Sequence, residues 1–203
     1  NNLVANDSGR GHDLLRLQNV VKVFREGPLN RQKKMALAGV NFSIKAGQVT
    51  GFLGPNGAGK TTTIRIILGF LKPDSGRIEY YSAQGKEFDL SSLRLGYLQE
   101  QASLYPFLTV RETLELVARI DGLSRAEAQE QALDMARTLN LTEYLDSRIK
   151  SLSKGKRQKV ALGVAASGQP DFLIFDEPYT GLDPLIMYEV RNLILKLKAK
   201  GIT

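Results

Sequence analysis

The chain has no cysteine in 203 residues, which excludes disulfide staples and thiol chemistry and is compatible with a reducing compartment. It also lacks any apolar run near the ~18 residues that a membrane-spanning helix needs. The two candidates, "IRIILGFL" (64–71) and "VALGVAAS" (160–167), are too short and too helically patterned. Histidine is scarce. The one histidine, His12, lies in "NNLVANDSGRGHDLL", a stretch with no basic segment leading into an apolar core, so residues 1–13 are expected to be a polar leader and not a signal peptide. What the chain has in excess is positive charge: 28 Lys and Arg against 21 Asp and Glu, a net +7. That balance favours anionic partners, whether nucleotide, nucleic acid or anionic lipid, and does not choose among them. The length suits one domain, or at most two small ones, with a real core.

Residues 14–24 and 40–44 alternate apolar and polar well enough to be half-buried strands, and "REGPLNRQKKM" (25–35) between them reads as a basic loop. "QVTGFLG" (48–54) reads as a buried strand running into glycine, followed by a helix from near Gly59 that "KPDSG" (72–76) stops. "RIEYY" and "RLGYL" are further short strands. From Thr109 the texture becomes helical. Thr109 with Glu112 and Ser124 with Glu127 each form a capping box, predicting helices over 110–121 and 125–139. A third helix is predicted from about Ser153 to Gly168, then a buried strand, "DFLIFDEP" (171–178), with acids at its tip. Asp183 followed by Pro184 opens a last helix to about Lys200. This order predicts an α/β fold with a mostly parallel sheet and a helical subdomain.

"GFLGPNGAGKTT" (51–62) is the strongest signal. Gly54, Gly59, Lys60 and Thr61 fit G-x-x-x-x-G-K-[ST] between an apolar strand and a helix, the context that a phosphate loop requires. Glycines let the backbone N–H groups approach phosphate oxygens, Lys60 reaches the β and γ phosphates, and the Thr61 hydroxyl suits Mg²⁺. In "FLIFDEP" four apolar residues bury the strand, so Asp176 emerges where a metal belongs, and Glu177 can act on an attacking water. Together these motifs predict an NTPase.

"KSLSKGKRQK" (150–159) sets five cations and no anion at a predicted helix start. Cations are disfavoured there by about 0.3–1 kcal/mol each, so an anion is expected nearby or the charges face water. In sequence and spacing, the phosphate loop, "LGYLQEQASLYPFLTVRETLEL" (95–116), "LSKGKRQKV" (152–160), "FLIFDEP" (172–178) and "TGLDP" (180–184) resemble the ATP-binding subunit of ABC transporters across residues 14–203. "LYPFLTVRE" and "LSKG" are similar to the subgroup serving drug and polysaccharide export.

The resemblance implies a P-loop NTPase of ABC type, with an N-terminal antiparallel β portion and a helical subdomain over roughly 100–150. ATP and Mg²⁺ are the implied cofactors, held around Gly54, Pro55, Asn56, Gly57, Ala58, Gly59, Lys60, Thr61 and Thr62. "LSKGKRQ" stands at the family's signature, so the missing anion is implied to be the γ-phosphate of ATP on a second, head-to-tail ATPase subunit, contacted by Ser153 and Gly155. Lys154 and Lys156 depart from the family's Gly and Gln, and Arg157 and Lys159 are expected to face solvent. Glu100, flanked by Gln99 and Gln101, falls on the coupling and metal-sensing position. Phe24 matches the adenine-stacking aromatic, and Asp183 the loop that crosses to the partner, beside its role as a helix cap. The implied setting is the cytoplasmic face of the membrane, bound to a permease, with no direct nucleic-acid contact. A soluble ABC ATPase acting on ribosomes or nucleic acid, and an ATP-binding regulator without turnover, stay open as alternatives. The family's switch histidine has no counterpart before the chain stops at "KGIT", so a longer subunit is expected, of which these residues form a C-terminally incomplete and poorly active piece.

Overall fold

In the computed structural model the described residues are 4–5, 12–26, 32–82, 84–100 and 103–203. They form two compact units, one over residues 1–93 with Thr203 and the other over 94–202.

The first unit is built on two long strands, β2 (Asp13–Glu26) and β3 (Gln32–Lys45), after a two-residue β1 (Val4–Ala5) that pairs antiparallel with β4 (Phe52–Leu53). β5 (Ser75–Tyr81) and β6 (Glu87–Phe88) complete an antiparallel sheet in the order β3-β2-β5-β6. Leu15, Leu17, Val20 and Leu37 are among its most deeply buried side chains, and helix α1 (Lys60–Ile67) adds Ile64, Ile66 and Ile67. Asp13 belongs to β2 and pairs with Arg16 and, at 2.8 Å, Lys45. The remainder of the expected polar leader, apart from β1 and His12, lies outside the described residues, as do 27–31 of the expected basic loop.

The rest of that loop is a correction. Arg25 and Glu26 end β2, and Gln32, Lys33, Lys34 and Met35 begin β3, with Arg25 opposite Lys33. Charged residues do not break a strand whose edges they point away from, and here the ladder continues through them. The stretch 48–54 also differs from expectation: among the described residues only Phe52–Leu53 pairs, and Leu53 is 72% exposed. Phe52 still reaches Phe42, with ring centroids 5.3 Å apart.

The second unit carries β7 (Leu95–Leu98), α2 (Val110–Ile120), α3 (Arg125–Thr138), α4 (Lys154–Ala165), β8 (Phe172–Phe175) and α5 (Pro184–Ala199). β7 and β8 run parallel in register Leu95↔Phe172 to Leu98↔Phe175, the parallel pairing among the described residues. The mostly parallel sheet expected from the sequence is thus represented by this pair, and the antiparallel portion is the larger.

Both capping boxes form. Thr109 accepts from the Glu112 amide at 3.1 Å while the Glu112 carboxylate accepts from the Thr109 amide at 2.8 Å, and Ser124 and Glu127 repeat the exchange. These hydrogen bonds hold both glutamate carboxyls below the usual carboxylate range. Ala128, Ala132 and Ala136, four residues apart on α3, let it pack closely, and the core continues through Leu114, Leu141, Ile149, Val160 and Leu162.

Candidate functional site

The first unit holds residues 54–62, the expected phosphate loop. Its turn is closed by the Ala58 amide donating to the Pro55 carbonyl at 3.1 Å, and α1 begins as the Thr63 amide and hydroxyl both donate to the Gly59 carbonyl, at 2.8 and 3.0 Å. Gly59 has φ 96°, a left-handed conformation. A Cβ built there would lie 2.5 Å from Leu37 Cδ2 and 2.7 Å from the Ala36 carbonyl oxygen. Glycine is therefore required both by conformation and by the backbone beneath it. Gly59→Ala is expected to cost about 2 kcal/mol or more, read as a lowered midpoint in thermal unfolding; an unchanged midpoint would refute the close approach.

The helix start differs from the others. α2, α3, α4 and α5 are each capped by a side chain, from Thr109, Ser124, Ser153 and Asp183, whereas α1 has no side-chain cap; like α4 and α5, it has no acid in its first turn. Amides of a first turn have no partner within the helix, so this end presents N–H groups and the positive dipole end to whatever lies outside it. Lys60 adds an ammonium to the same place, folded back over the loop to donate to the carbonyls of Gly54 at 2.8 Å and Pro55 at 3.3 Å. Pro55, Asn56, Gly57 and Thr61 are exposed, and Gly54, Ala58 and Thr62 half-buried.

Phe24 is 36% exposed near the end of β2, with the Lys22 ammonium 5.9 Å from its ring centre. It pairs with Lys34, two residues before the Ala36 that backs Gly59, so β3 links both features.

The second unit holds the acids. Asp176 is 7% exposed at the tip of β8, where its amide donates to the Leu98 carbonyl at 2.8 Å. Glu177 follows in left-handed backbone, φ 50°, a conformation costing a non-glycine residue about 1 kcal/mol or more. It turns the chain sharply, leaving Glu177 exposed; the Thr180 hydroxyl donates to its carboxylate at 2.9 Å. Asp183 ends the loop and accepts from the Ile186 amide at 3.0 Å, the capping part of its expected double role. Glu100 is exposed just beyond β7; Gln99 beside it donates to Ser103 at 3.2 Å, and Gln101 lies outside the described residues.

The cations around α4 take positions that the sequence did not reveal. Ser153 caps the helix, its hydroxyl accepting from the Lys156 amide at 3.4 Å, and Gly155 is buried against Ile186 of α5. Two expectations are corrected: Arg157 and Lys159 do not face solvent. Arg157 is half-buried and donates to the Leu152 carbonyl, and Lys159, 7% exposed, forms an ion pair with Glu189. Neither long side chain could stay extended where the helix packs on its neighbours, so each carries its charge to a local oxygen.

Lys156 lies over the Tyr144 ring at 3.7 Å from its centre, a cation–π contact worth about 0.5–2 kcal/mol. Lys156→Gln is expected to lower stability by that amount in urea unfolding, and to add nothing once Tyr144 is replaced by leucine. Equal losses in both backgrounds would exclude the contact. Sequence reasoning also missed Gln158, which donates to the Pro178 carbonyl at 3.1 Å. Its one signal was a position four residues after Lys154, on the same face of the helix.

Among the described residues no helix is long and apolar enough to cross a membrane, and no group of three or more His, Cys, Asp or Glu could hold a metal by itself.

The profile of the family described as "ABC transporter" matches residues 37–180. The linearmycin resistance ATP-binding protein LnrL of Bacillus subtilis is 34% identical over 191 residues, which cover 94% of this chain and 59% of LnrL. Among solved structures, a dimeric post-hydrolysis ATP-binding cassette bound to ADP and Pi superposes with a TM-score of 0.77 at 28% identity, covering 93% of this chain and 85% of that one. CbiO1 of Clostridium perfringens, part of an ABC transporter complex, gives 0.79 at 27% identity, covering 95% and 76%. The chain spans little more than half the length of such curated bacterial relatives, between 52% and 59%. A match over most of the chain and a shared architecture lead to one assignment: this chain belongs to the ABC transporter family and has the P-loop fold of its ATP-binding cassettes.

Proposed function

We propose that the chain is the ATP-binding and ATP-hydrolysing part of a subunit that energises a separate membrane permease, working in export. The observation that carries the nucleotide reading is the bare start of α1, the one α-helix without a side-chain cap among the described residues, with the Lys60 ammonium folded over it. That turn satisfies its own amides least and has a cation to spare for phosphate. In this reading Lys60 bridges the β and γ phosphates, residues 54–62 wrap them, and Phe24 stacks on adenine.

Mg²⁺ suits the donors on offer. The Thr61 hydroxyl in the first unit and, in the second, the Asp176 carboxylate with Glu100 as the coupling residue would each offer hard oxygen donors. Mg²⁺ is commonly held by one or two carboxylates together with substrate phosphates, which suits a donor set of this kind. When bound, it would neutralise charge on the phosphates. Glu177 would orient and deprotonate water, its exposed carboxylate steadied by Thr180.

Ser153 and Gly155 would face the γ-phosphate of ATP held by a second, head-to-tail subunit, and Asp183 would approach that partner. The dimeric cassette and the CbiO1 complex support pairing and a permease partner, and the resistance function in LnrL's name supports export. The subunit would then sit on the cytoplasmic face of the membrane, held through the permease.

The test is to purify the tagged full-length subunit from detergent-solubilised membranes and identify what accompanies it. A multi-span membrane protein is the expected partner. Ribosomal or nucleic-acid components without a permease would leave the ATPase chemistry standing and overturn the transport role.

A further inference from the structure

Two residues on one face of α4 reach the loop that follows Glu177. Gln158 donates its side-chain amide to the Pro178 carbonyl at 3.1 Å. One helical turn earlier, Lys154 lays its ammonium against Gly181: a Cβ built at Gly181 would lie 2.1 Å from Lys154 Nζ and 3.4 Å from Cε. The ammonium thus fills the volume that a side chain at 181 would take. Gly181 is itself left-handed, φ 66°, so the loop has both the bend and the vacancy that admit the lysine.

Between these anchors the loop is otherwise held by its own short hydrogen bonds, Thr180 to Glu177 and Leu182 to Tyr179, both 3.2 Å between backbone atoms. The residue just before it, Glu177, stands in a backbone conformation that does not persist unless its surroundings enforce it.

We infer that Lys154 and Gln158 form a two-point brace from α4 to the loop 178–181, and that Lys154 is a positioning residue for the Glu177 carboxylate and not a ligand of phosphate. The inference rests on the reading of Glu177 as the base. It also assigns a role to the lysine that replaces the glycine of similar signatures: the long side chain crosses to the loop that Gly181 leaves open. Sub-ångström displacement of a base is enough to slow chemistry without altering substrate affinity, because affinity is set by groups that grip the nucleotide elsewhere.

The experiment uses the full-length protein with its permease and compares Lys154→Met, Lys154→Arg, Gln158→Ala and Glu177→Gln. Steady-state ATP hydrolysis and hydrogen exchange at the amides of 179–182 are measured on each. The expected result for Lys154→Met is a kcat about tenfold lower with KM for ATP within about twofold, and faster exchange in the loop. Lys154→Arg, which keeps the charge and can still reach Gly181, should restore part of the rate, and Gln158→Ala should behave as Lys154→Met does. A raised KM at unchanged kcat would make Lys154 a nucleotide contact and overturn the inference. So would unchanged exchange in the loop, or faster exchange with normal kcat. Glu177→Gln separates the two layers: if it hydrolyses ATP normally, the base reading has failed, whereas its expected inactivity alongside an unaffected Lys154→Met leaves the base standing and removes the brace.

Discussion

Lys60→Ala in the intact subunit is expected to weaken ATP binding by roughly a hundredfold or more, measured by equilibrium titration with a non-hydrolysed ATP analogue. The ammonium would make two charge-assisted hydrogen bonds to phosphate oxygens, each worth about 1.5–3 kcal/mol, so their loss comes to about 3 kcal/mol at the low end. Alanine also removes the hydrogen bonds to the carbonyls of Gly54 and Pro55 that hold the side chain over the loop. Part of the effect is therefore a less ordered loop. Lys60→Arg helps to separate these contributions: it keeps the charge but offers a planar fork where the loop fits a compact ammonium, and should bind with intermediate affinity. Unchanged affinity in the alanine variant would refute the assignment of residues 54–62 as the phosphate site.

Glu177→Gln should leave ATP binding intact and lower the hydrolysis rate by about 10²–10⁴, the usual worth of a positioned general base. The substitution suits the purpose because an amide oxygen can still accept the Thr180 hydroxyl that now reaches the Glu177 carboxylate at 2.9 Å. The left-handed backbone at 177 makes the same demand of either residue, so the loop should be preserved and only the proton acceptor lost. With hydrolysis blocked, ATP should trap the subunit as a dimer, visible by size-exclusion chromatography with light scattering. A variant that hydrolyses at the normal rate would remove Glu177 from the chemistry.

The parts of the fold that could be read from the sequence are those whose signals are local. Thr109 with Glu112 and Ser124 with Glu127 announced two helices because a capping box is a contract among four consecutive residues. Asp183 before Pro184 announced α5 for the same reason. The phosphate loop and "FLIFDEP" were legible because the chemistry itself requires adjacent residues. The hairpin of β2 and β3 was not, since Lys33 and Lys34 look like loop residues until the partner strand is known. Nor was the fate of Arg157 and Lys159, which depends on α5 packing against α4 and on the Leu152 carbonyl being within reach. The same non-local reason hid Gln158 and Lys154: nothing within α4 states which loop will lie beside it.

The ion pair of Lys159 and Glu189 has a consequence for how this sequence can drift. Lys159 is sheltered enough that losing Glu189 leaves its charge stranded, whereas Glu189, with a third of its side chain exposed, can turn to water without Lys159. The two positions, thirty residues apart, are thus tied in one direction only. Lineages should give up the lysine before the glutamate, and a buried Lys159 should not outlive the acid at 189.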